Sequence, residues 1–306
     1  MRYKFQKWQG CGNDFIVVPL NRFSDKVVRD AWQRSAEVLC SRDGYGVGAD
    51  GILLVEAVSQ TSQTSKLQII NSDGSVAAHC GNGTRCAAAV VKNLSIAALK
   101  DDHHNLVQFD IDGRNADCWV VNQSETRFDI RVAMGEVVLN SSNDWHMPAL
   151  GAATKILADS NVMFSSVHTG SVGNKHVVVF MDQPPDKDLV SIVGMKIQNV
   201  TAANVHFVGS VPLDGTAQKT VHRLRSQCTE VISLQSYERG CGYTLACGSG
   251  ATVAGVLAYD ELLIERGESV AVSMPGGVVL IDQEQEGDPA FLTGPCQLSF
   301  VGELDL

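Results

Sequence analysis

Two segments of this chain carry the same uncommon pattern, Cys80-Gly81-Asn82-Gly83 and Cys247-Gly248-Ser249-Gly250, and each runs directly into small apolar residues. The first continues as Thr84-Arg85-Cys86-Ala87-Ala88-Ala89-Val90-Val91, the second as Ala251-Thr252-Val253-Ala254-Gly255-Val256-Leu257-Ala258. A glycine-rich turn feeding an apolar, Ala-rich run predicts the start of a buried helix. A helix apolar nearly all round has to be enclosed by other structure. The start of such a helix has a chemistry of its own. Its first N–H groups are unpaired and carry partial positive charge, and glycines let a bound anion come close. A cysteine there is expected to be acidified, from about 8.5 towards roughly 3.5–7.5. Two such motifs suggest two thiols facing one substrate.

The repetition goes further than the cysteines. Gly12-Asn13-Asp14-Phe15-Ile16-Val17-Val18 resembles Gly173-Asn174-Lys175-His176-Val177-Val178-Val179, and Asn71-Ser72-Asp73-Gly74 has a counterpart in Tyr237-Glu238-Arg239-Gly240. Three matches in one order at nearly one offset point to an internal duplication. The halves are therefore expected to fold alike and to present their CGxG helices around a pseudo-twofold axis, with the two thiols across one cleft.

Composition limits the function classes. The 306 residues suffice for two ordinary domains. A net charge of −10 argues against a nucleic-acid or membrane-surface protein. The segment Met1 to Trp8 has no apolar core of a signal peptide, and no apolar run approaches a membrane span of ~18 residues. Nine scattered cysteines fit reduced thiols in a cytoplasm better than a disulfide framework. None has CxxC spacing, and no zinc-ligand cluster stands out. Gly46, Gly48 and Gly51 match GxGxxG, but they do not follow a strand and open a helix, so they read as a loop needing positive φ before a strand.

Along the chain, residues 2–8 and 14–20 read as strands and 25–40 as an amphipathic helix with Asp25 near its start. Residues 59–65 read as a hairpin tip, 67–70 as a strand, and His103-His104 as part of a solvated loop. Residues 106–112, 117–122 and 126–133 alternate as meander strands. In the second half, 184–200 hold a Pro-Pro turn and an amphipathic segment, and 201–211, 220–234, 278–282 and 296–301 read as strands.

At this point the residues resemble a family. Gly10-Cys-Gly-Asn-Asp-Phe, Gly48-Ala-Asp-Gly, Asn71-Ser-Asp-Gly, Cys80-Gly-Asn-Gly-Thr-Arg-Cys, Gly173-Asn-Lys-His, Glu238-Arg-Gly, Ala246-Cys-Gly-Ser-Gly-Ala, Pro275-Gly-Gly and Thr293-Gly-Pro look like diaminopimelate epimerase, in family order across essentially the whole chain. The resemblance implies an isomerase without pyridoxal phosphate or any other cofactor, and without a metal. It would interconvert LL- and meso-diaminopimelate on the route to lysine and peptidoglycan precursors, in the cytoplasm, as a homodimer. The implied fold class is α/β, of the α+β type: two pseudo-symmetric domains, each a curved, mostly antiparallel sheet around a central helix. Their expected extents are 1–128, rejoined by 292–306, and 129–291. The resemblance makes Cys80 and Cys247 the acid–base pair. It gives the reacting carboxylate to Asn82 and Ser249 with the backbone of Gly81, Gly83 and Gly248. Arg239 suits a distal carboxylate as a planar fork and Glu238 a distal ammonium, while Asn13, Asn71, Asn174 and Asn204 frame the substrate.

Three positions depart from the family pattern. Lys175 stands where proline is usual and His206 where another polar residue is common, while His79 precedes the first motif cysteine. The alternatives are a related cofactor-independent racemase of another amino acid and, in a different class, a redox switch in which Cys80 and Cys247 form a disulfide. Cys11, Cys40, Cys86, Cys118, Cys228, Cys241 and Cys296 read as small buried side chains.

Overall fold

Strand β1 (Arg2–Gly10) buries Phe5, Lys7, Trp8 and Gly10, with a register shift between Lys7 and Trp8, and turns back through Cys11 and Gly12, at φ 54 and 81, into β2 (Asn13–Leu20). Two residues of positive φ are what a tight hairpin connection requires. The protein is described from a computed structural model, which covers residues 2–21, 23–56, 64–77, 80–99, 105–141, 145–210, 218–219, 222–223, 228–262 and 264–306. The expected loop at His103-His104, most of the expected hairpin tip at 59–65, His79 and the start of the expected strand at 220–234 lie outside these residues.

From β2 the chain enters α1 (Lys26–Cys40), capped by Asp25, whose side chain accepts the N–H groups of Val27 and Val28. This helix is the crossover to β3 (Gly51–Glu56), parallel to β2. Strand β4 (Thr64–Asn71) pairs antiparallel with β3 and with the short β5 (Val76–Ala77). Helix α2 (Gly81–Leu99) leads to β6 (Leu106–Ile111), parallel to β4, and β7 (Arg114–Gln123) and β8 (Arg127–Gly135) complete an antiparallel meander. Gly48 has φ +76 just before β3, which is the loop expected there.

The second half opens with β9 (Val138–Leu139) and α3 (His146–Asp159), neither of which the sequence announced. Then β10 (Ser166–Val172) and β11 (Asn174–Met181) pair antiparallel across Gly173, at φ 83. Helix α4 (Lys187–Thr201) crosses to β12 (Asn204–Ser210), parallel to β11. Strand β13 (Cys228–Glu238) pairs antiparallel with β12 and with the short β14 (Gly242–Thr244). Helix α5 (Gly248–Glu261) leads to β15 (Ser269–Met274), parallel to β13, followed by β16 (Gly277–Asp282) and β17 (Ala290–Asp305). Strand for strand and helix for helix, β10 to β17 repeat the pairing sequence of β1 to β8.

Contacts divide the chain into Met1–Val132 with Gly294–Leu306, and Ala133–Thr293. The expected divisions after 128 and 291 fall inside strands. Val132 still pairs with Cys118 of β7, and Thr293 still pairs with Leu280 of β16, so each strand carries its unit a few residues further.

In the first unit α2 packs against β1, β2, β3, β4, β6 and β7, and every residue from Gly81 to Lys92 is buried. On the other face α1 brings Trp32, Ala36 and Cys40, one helical face at i, i+4 and i+8, against Ile16, Ile52 and Leu54. A sheet covered on both faces explains the unbroken apolar run Ile52-Leu53-Leu54-Val55. In the second unit α5 packs against β10, β11, β12, β13, β15 and β16, with Gly248 to Tyr259 all buried. There α3 and α4 cover Val177, Val179, Val205 and Phe207. Among the described residues, no helix is long and apolar enough to cross a membrane.

Candidate active site

Each unit places its motif cysteine at the start of its enclosed helix. In the first, the Gly83 N–H donates to Cys80 Sγ at 3.3 Å, and the Thr84 N–H and hydroxyl donate to the Cys80 carbonyl at 2.8 and 2.9 Å. A Cβ at Gly83 would stand 3.3 Å from that sulfur and 3.1 Å from Leu53 Cδ2, so glycine lets the thiol lie close on the backbone. The Cys80 side chain remains half-buried.

Asn82 follows and is buried. Its amide donates to Asn13 Oδ1 at 3.4 Å, and its own Oδ1 accepts from Arg85 at 2.8 Å. Arg85 is fully buried just ahead of the apolar run Cys86 to Val91, and it also donates to the carbonyls of Gly81 and Pro295. Asn13 in turn donates to Asp50 at 2.5 Å. Asp50 and Asp14 share Arg42, and Asp14 also takes Lys7 at 2.8 Å. Burial pushes the Asp14 carboxyl up, but its bonds to Arg42 and Lys7 outweigh this and hold it below the usual range. Asn71 is exposed and closes its own turn, with its side chain donating to Ser75 Oγ at 2.9 Å.

In the second unit Cys247 is the N-cap of α5, and the Gly250 N–H donates to its Sγ at 3.4 Å. Ser249 Oγ lies 3.6 Å from the same sulfur, and Gly248 and Ser249 are both buried. Glu238 ends β13 and brings its carboxyl to two partners. Thr244 donates to it at 2.5 Å, and the Cys247 thiol bonds to it as well. The expected acidification does not hold at Cys247. Burial pushes this thiol well above its ordinary value, and the Glu238 charge pushes the same way, so the bond from Gly250 cannot compensate. Burial also raises Glu238, against the lowering effect of its bonds to Cys247 and Thr244. Arg239 is exposed, and its N–H is held by Asn204 Oδ1 at 2.9 Å. Asn174 begins β11, half-buried, and the side chain of Lys175 lies over the Trp145 ring, 5.2 Å from its centroid.

Beneath Cys247 lies a polar line absent from the sequence reading. His176 Nδ1 is 2.8 Å from His206 Nε2, and His206 Nδ1 is 2.9 Å from Ser236 Oγ. Both rings are fully buried, and burial pushes His206 down to about 3, so it is neutral. His176, His206 and Cys247 each offer a ligand atom within 4.8 Å of the others. No metal-ligand cluster stood out in the sequence because these three come from β11, β12 and the start of α5, with no local spacing to mark them.

The family profile described as diaminopimelate epimerase matches residues 5–145 and 169–299. The chain belongs to the diaminopimelate epimerase family.

Its curated relatives in that family include the diaminopimelate epimerase of Prochlorococcus marinus strain NATL1A, 29% identical with all of both chains covered. That of Thioalkalivibrio sulfidiphilus is 31% identical, again over all of both chains. The chloroplastic diaminopimelate epimerase of Oryza sativa subsp. japonica is 30% identical over 97% of this chain and 79% of its own. Solved structures agree on the mixed α/β fold. A phenazine biosynthesis protein of the PhzF family from Bacillus anthracis superposes with a TM-score of 0.67 at 13% identity, over 100% of both chains. A hydroxyproline epimerase from Agrobacterium vitis gives 0.61 at 10%, over 99% of this chain and 91% of that one.

Of the remaining cysteines of this family member, Cys11, Cys40, Cys86, Cys118 and Cys296 are buried as expected. Cys241 is exposed instead, in the turn between β13 and β14. Arg85, Asp50 and Thr244 reach the neighbourhood of the motif residues without having been singled out. Arg85 did leave a signal, as a cation in the first turns of a largely apolar helix.

Proposed function

We propose that this protein is a cofactor-independent isomerase that interconverts LL- and meso-diaminopimelate, with Cys80 and Cys247 as its two acid–base groups. The observation that carries the reading is the twofold occurrence of one device. Each cysteine starts an enclosed helix and takes the N–H of the third residue after it onto its sulfur. The place in lysine and peptidoglycan precursor synthesis, the cytoplasmic setting and a homodimeric state belong to the same reading.

Epimerisation removes the α-proton from one face and returns a proton to the other. In one direction a thiolate takes the proton and becomes a thiol, while the other thiol gives its proton and becomes a thiolate. The reverse direction exchanges the roles. Acid–base help of this kind is worth roughly 10²–10⁴-fold. It leaves the carbanion's charge to be stabilised, because that charge spreads onto the α-carboxylate. Asn82 and Ser249, with the backbone of Gly81, Gly83 and Gly248, are proposed to receive it as fixed donors that need no reorganisation.

The two thiols are not equivalent in their surroundings. Cys247 is held protonated by burial and by Glu238, which suits it to wait as the acid. The Glu238 carboxyl, itself raised, is the acceptor to which that thiol can pass its proton when it has to serve as base. Arg239 is assigned the distal carboxylate of the substrate, with Asn204 holding its backbone in place. Asn13, Asn71 and Asn174 are assigned to framing the substrate.

The test is incubation of the reduced protein with LL-diaminopimelate in D2O, following α-deuterium and the meso isomer by NMR, with Cys80→Ser and Cys247→Ser alongside. Deuterium uptake with meso product, lost in both variants, is the expected result. Exchange confined to another amino acid overturns the substrate, and no exchange with any amino acid overturns the enzyme reading in favour of a thiol switch.

A further inference from the structure

We propose that Cys247, His176 and His206 form a binding site for one Zn2+ ion. The donor set is one sulfur and two imidazoles, a borderline-soft combination that favours Zn2+, Co2+ or copper over Mg2+ and Ca2+. All three side chains are buried, Cys247 at 4% exposure and both histidines at 0%. Their ligand atoms already lie within 4.8 Å of one another. A tetrahedral zinc, with Zn–S about 2.3 Å and Zn–N about 2.0–2.1 Å, needs such atoms about 3.3–3.6 Å apart. The two facing imidazole nitrogens must open slightly from 2.8 Å, and the sulfur must close by about an ångström.

The surroundings hold the ligands for this geometry. Ser236 lies 2.9 Å from His206 Nδ1 and fixes the ring. When that nitrogen donates to the serine, Nε2 presents its lone pair, the arrangement by which a metal-ligating histidine is oriented. The other side of the ring rests on the first turn of α5, where a Cβ at Gly250 would come within 2.2 Å of His206 Cε1. In the metal-free protein one proton joins the two imidazoles. The ion replaces that proton as the bridge: the proton stays on His176 at its other nitrogen, and the Cys247 thiol releases its own to the buffer as the Zn–S bond forms. The Glu238 carboxyl, bonded to the same sulfur, lies where it offsets the remaining positive charge. Binding is independent of the proposed epimerase activity. Only its consequence, withdrawal of Cys247 from proton transfer, rests on that reading.

The experiment is a Co2+ titration of the whole, reduced, chelator-free protein, with Zn2+ as competitor and calorimetry for stoichiometry. One equivalent of Co2+ is expected to give thiolate charge-transfer absorption with the d–d bands of a tetrahedral site, and one equivalent of Zn2+ is expected to abolish both. Cys247→Ser removes the charge-transfer band. His206→Gln weakens binding at least about tenfold, and Ser236→Ala, which keeps all three ligands, weakens it by about 10–100-fold. Cys241→Ser, which removes the exposed thiol, leaves the spectrum unchanged. A band that survives Cys247→Ser, or affinity untouched by both His206→Gln and Ser236→Ala, overturns the site, as does absence of stoichiometric binding. Deuterium exchange with diaminopimelate is measured separately. Metal binding without turnover leaves the site standing and sinks the epimerase reading. Turnover without metal binding does the reverse.

Discussion

Replacing Gly250 by alanine tests whether the His206 ring is as tightly seated as the structure places it. The added Cβ would stand 2.2 Å from Cε1, 2.5 Å from Nε2 and 2.7 Å from Nδ1 of that ring. The ring must retreat by more than an ångström, yet both of its nitrogens are engaged, with His176 at 2.8 Å and Ser236 at 2.9 Å. Overpacking of this kind costs about 1–3 kcal/mol, and disturbing two hydrogen bonds adds about 0.5–1.5 kcal/mol each. Alanine in place of a helical glycine returns about 1 kcal/mol. Gly250→Ala is therefore expected to destabilise the second unit by about 1–5 kcal/mol. In a His206→Ala background the obstacle is gone, and the same substitution should stabilise by up to about 1 kcal/mol. The assay is urea unfolding at constant m, followed through Trp145, the one tryptophan of the second unit. Equal destabilisation in both backgrounds would refute the reasoning, because the cost would then come from the helix and not from the ring.

Three further outcomes are expected. Asp14 has a carboxyl held below its unfolded value by Arg42 and Lys7 against the pull of burial, so its contribution is present above about pH 4 and fades as acid protonates it in the folded state. Asp14→Asn should cost about 1–3 kcal/mol at pH 7 and progressively less as the pH falls below about 4, and a cost that does not change with pH contradicts this. Arg85→Met removes a buried guanidinium and leaves Asn82 Oδ1 and the Pro295 carbonyl without the bonds it gives them. It should lower stability by about 3 kcal/mol or more, and thermal unfolding of the variant at the wild-type temperature would argue against that account. Thr244→Val removes a bond that lowers the Glu238 carboxyl, so the acidic limb of the pH–rate profile for diaminopimelate exchange should move to higher pH, and a shift to lower pH contradicts the assigned role.

Much of the fold was legible because duplication writes itself twice. The turns at Gly12 and Gly173, the strand ends at Asn71 and Glu238, and the two cysteine motifs all fall at matching places in the two pairing schemes. Helix α1 was readable from its apolar spacing and from Asp25 as its cap. Helix α3 was not. Its N-cap is Trp145, with no side-chain capping bond, and Pro148 in its first turn reads locally as a break although a helix tolerates it there. The thiol chemistry was only half legible. A helix start lowers a cysteine's pKa, but burial and a neighbouring carboxyl raise it, and at Cys247 those two are decisive. Neither can be read from local sequence, since Glu238 is brought to the cysteine by the turn between β13 and β14. The pairing of His176 with His206 was hidden for the same reason: it depends on β11 and β12 lying side by side in parallel register.

The final strand has a bearing on how the protein comes to be folded. Residues 291–293 pair within the second unit, while from Gly294 onward β17 belongs to the first, where it lies along β1 with Arg2 opposite Asp305. During synthesis the second unit therefore has nearly all of its strands before the first has its last one. Until then β1 offers an unpaired edge, a template for other extended chains. Closing that edge joins two ends of the sequence, the kind of distant pairing that slows folding. The amino-terminal half, although made first, is the half that finishes last.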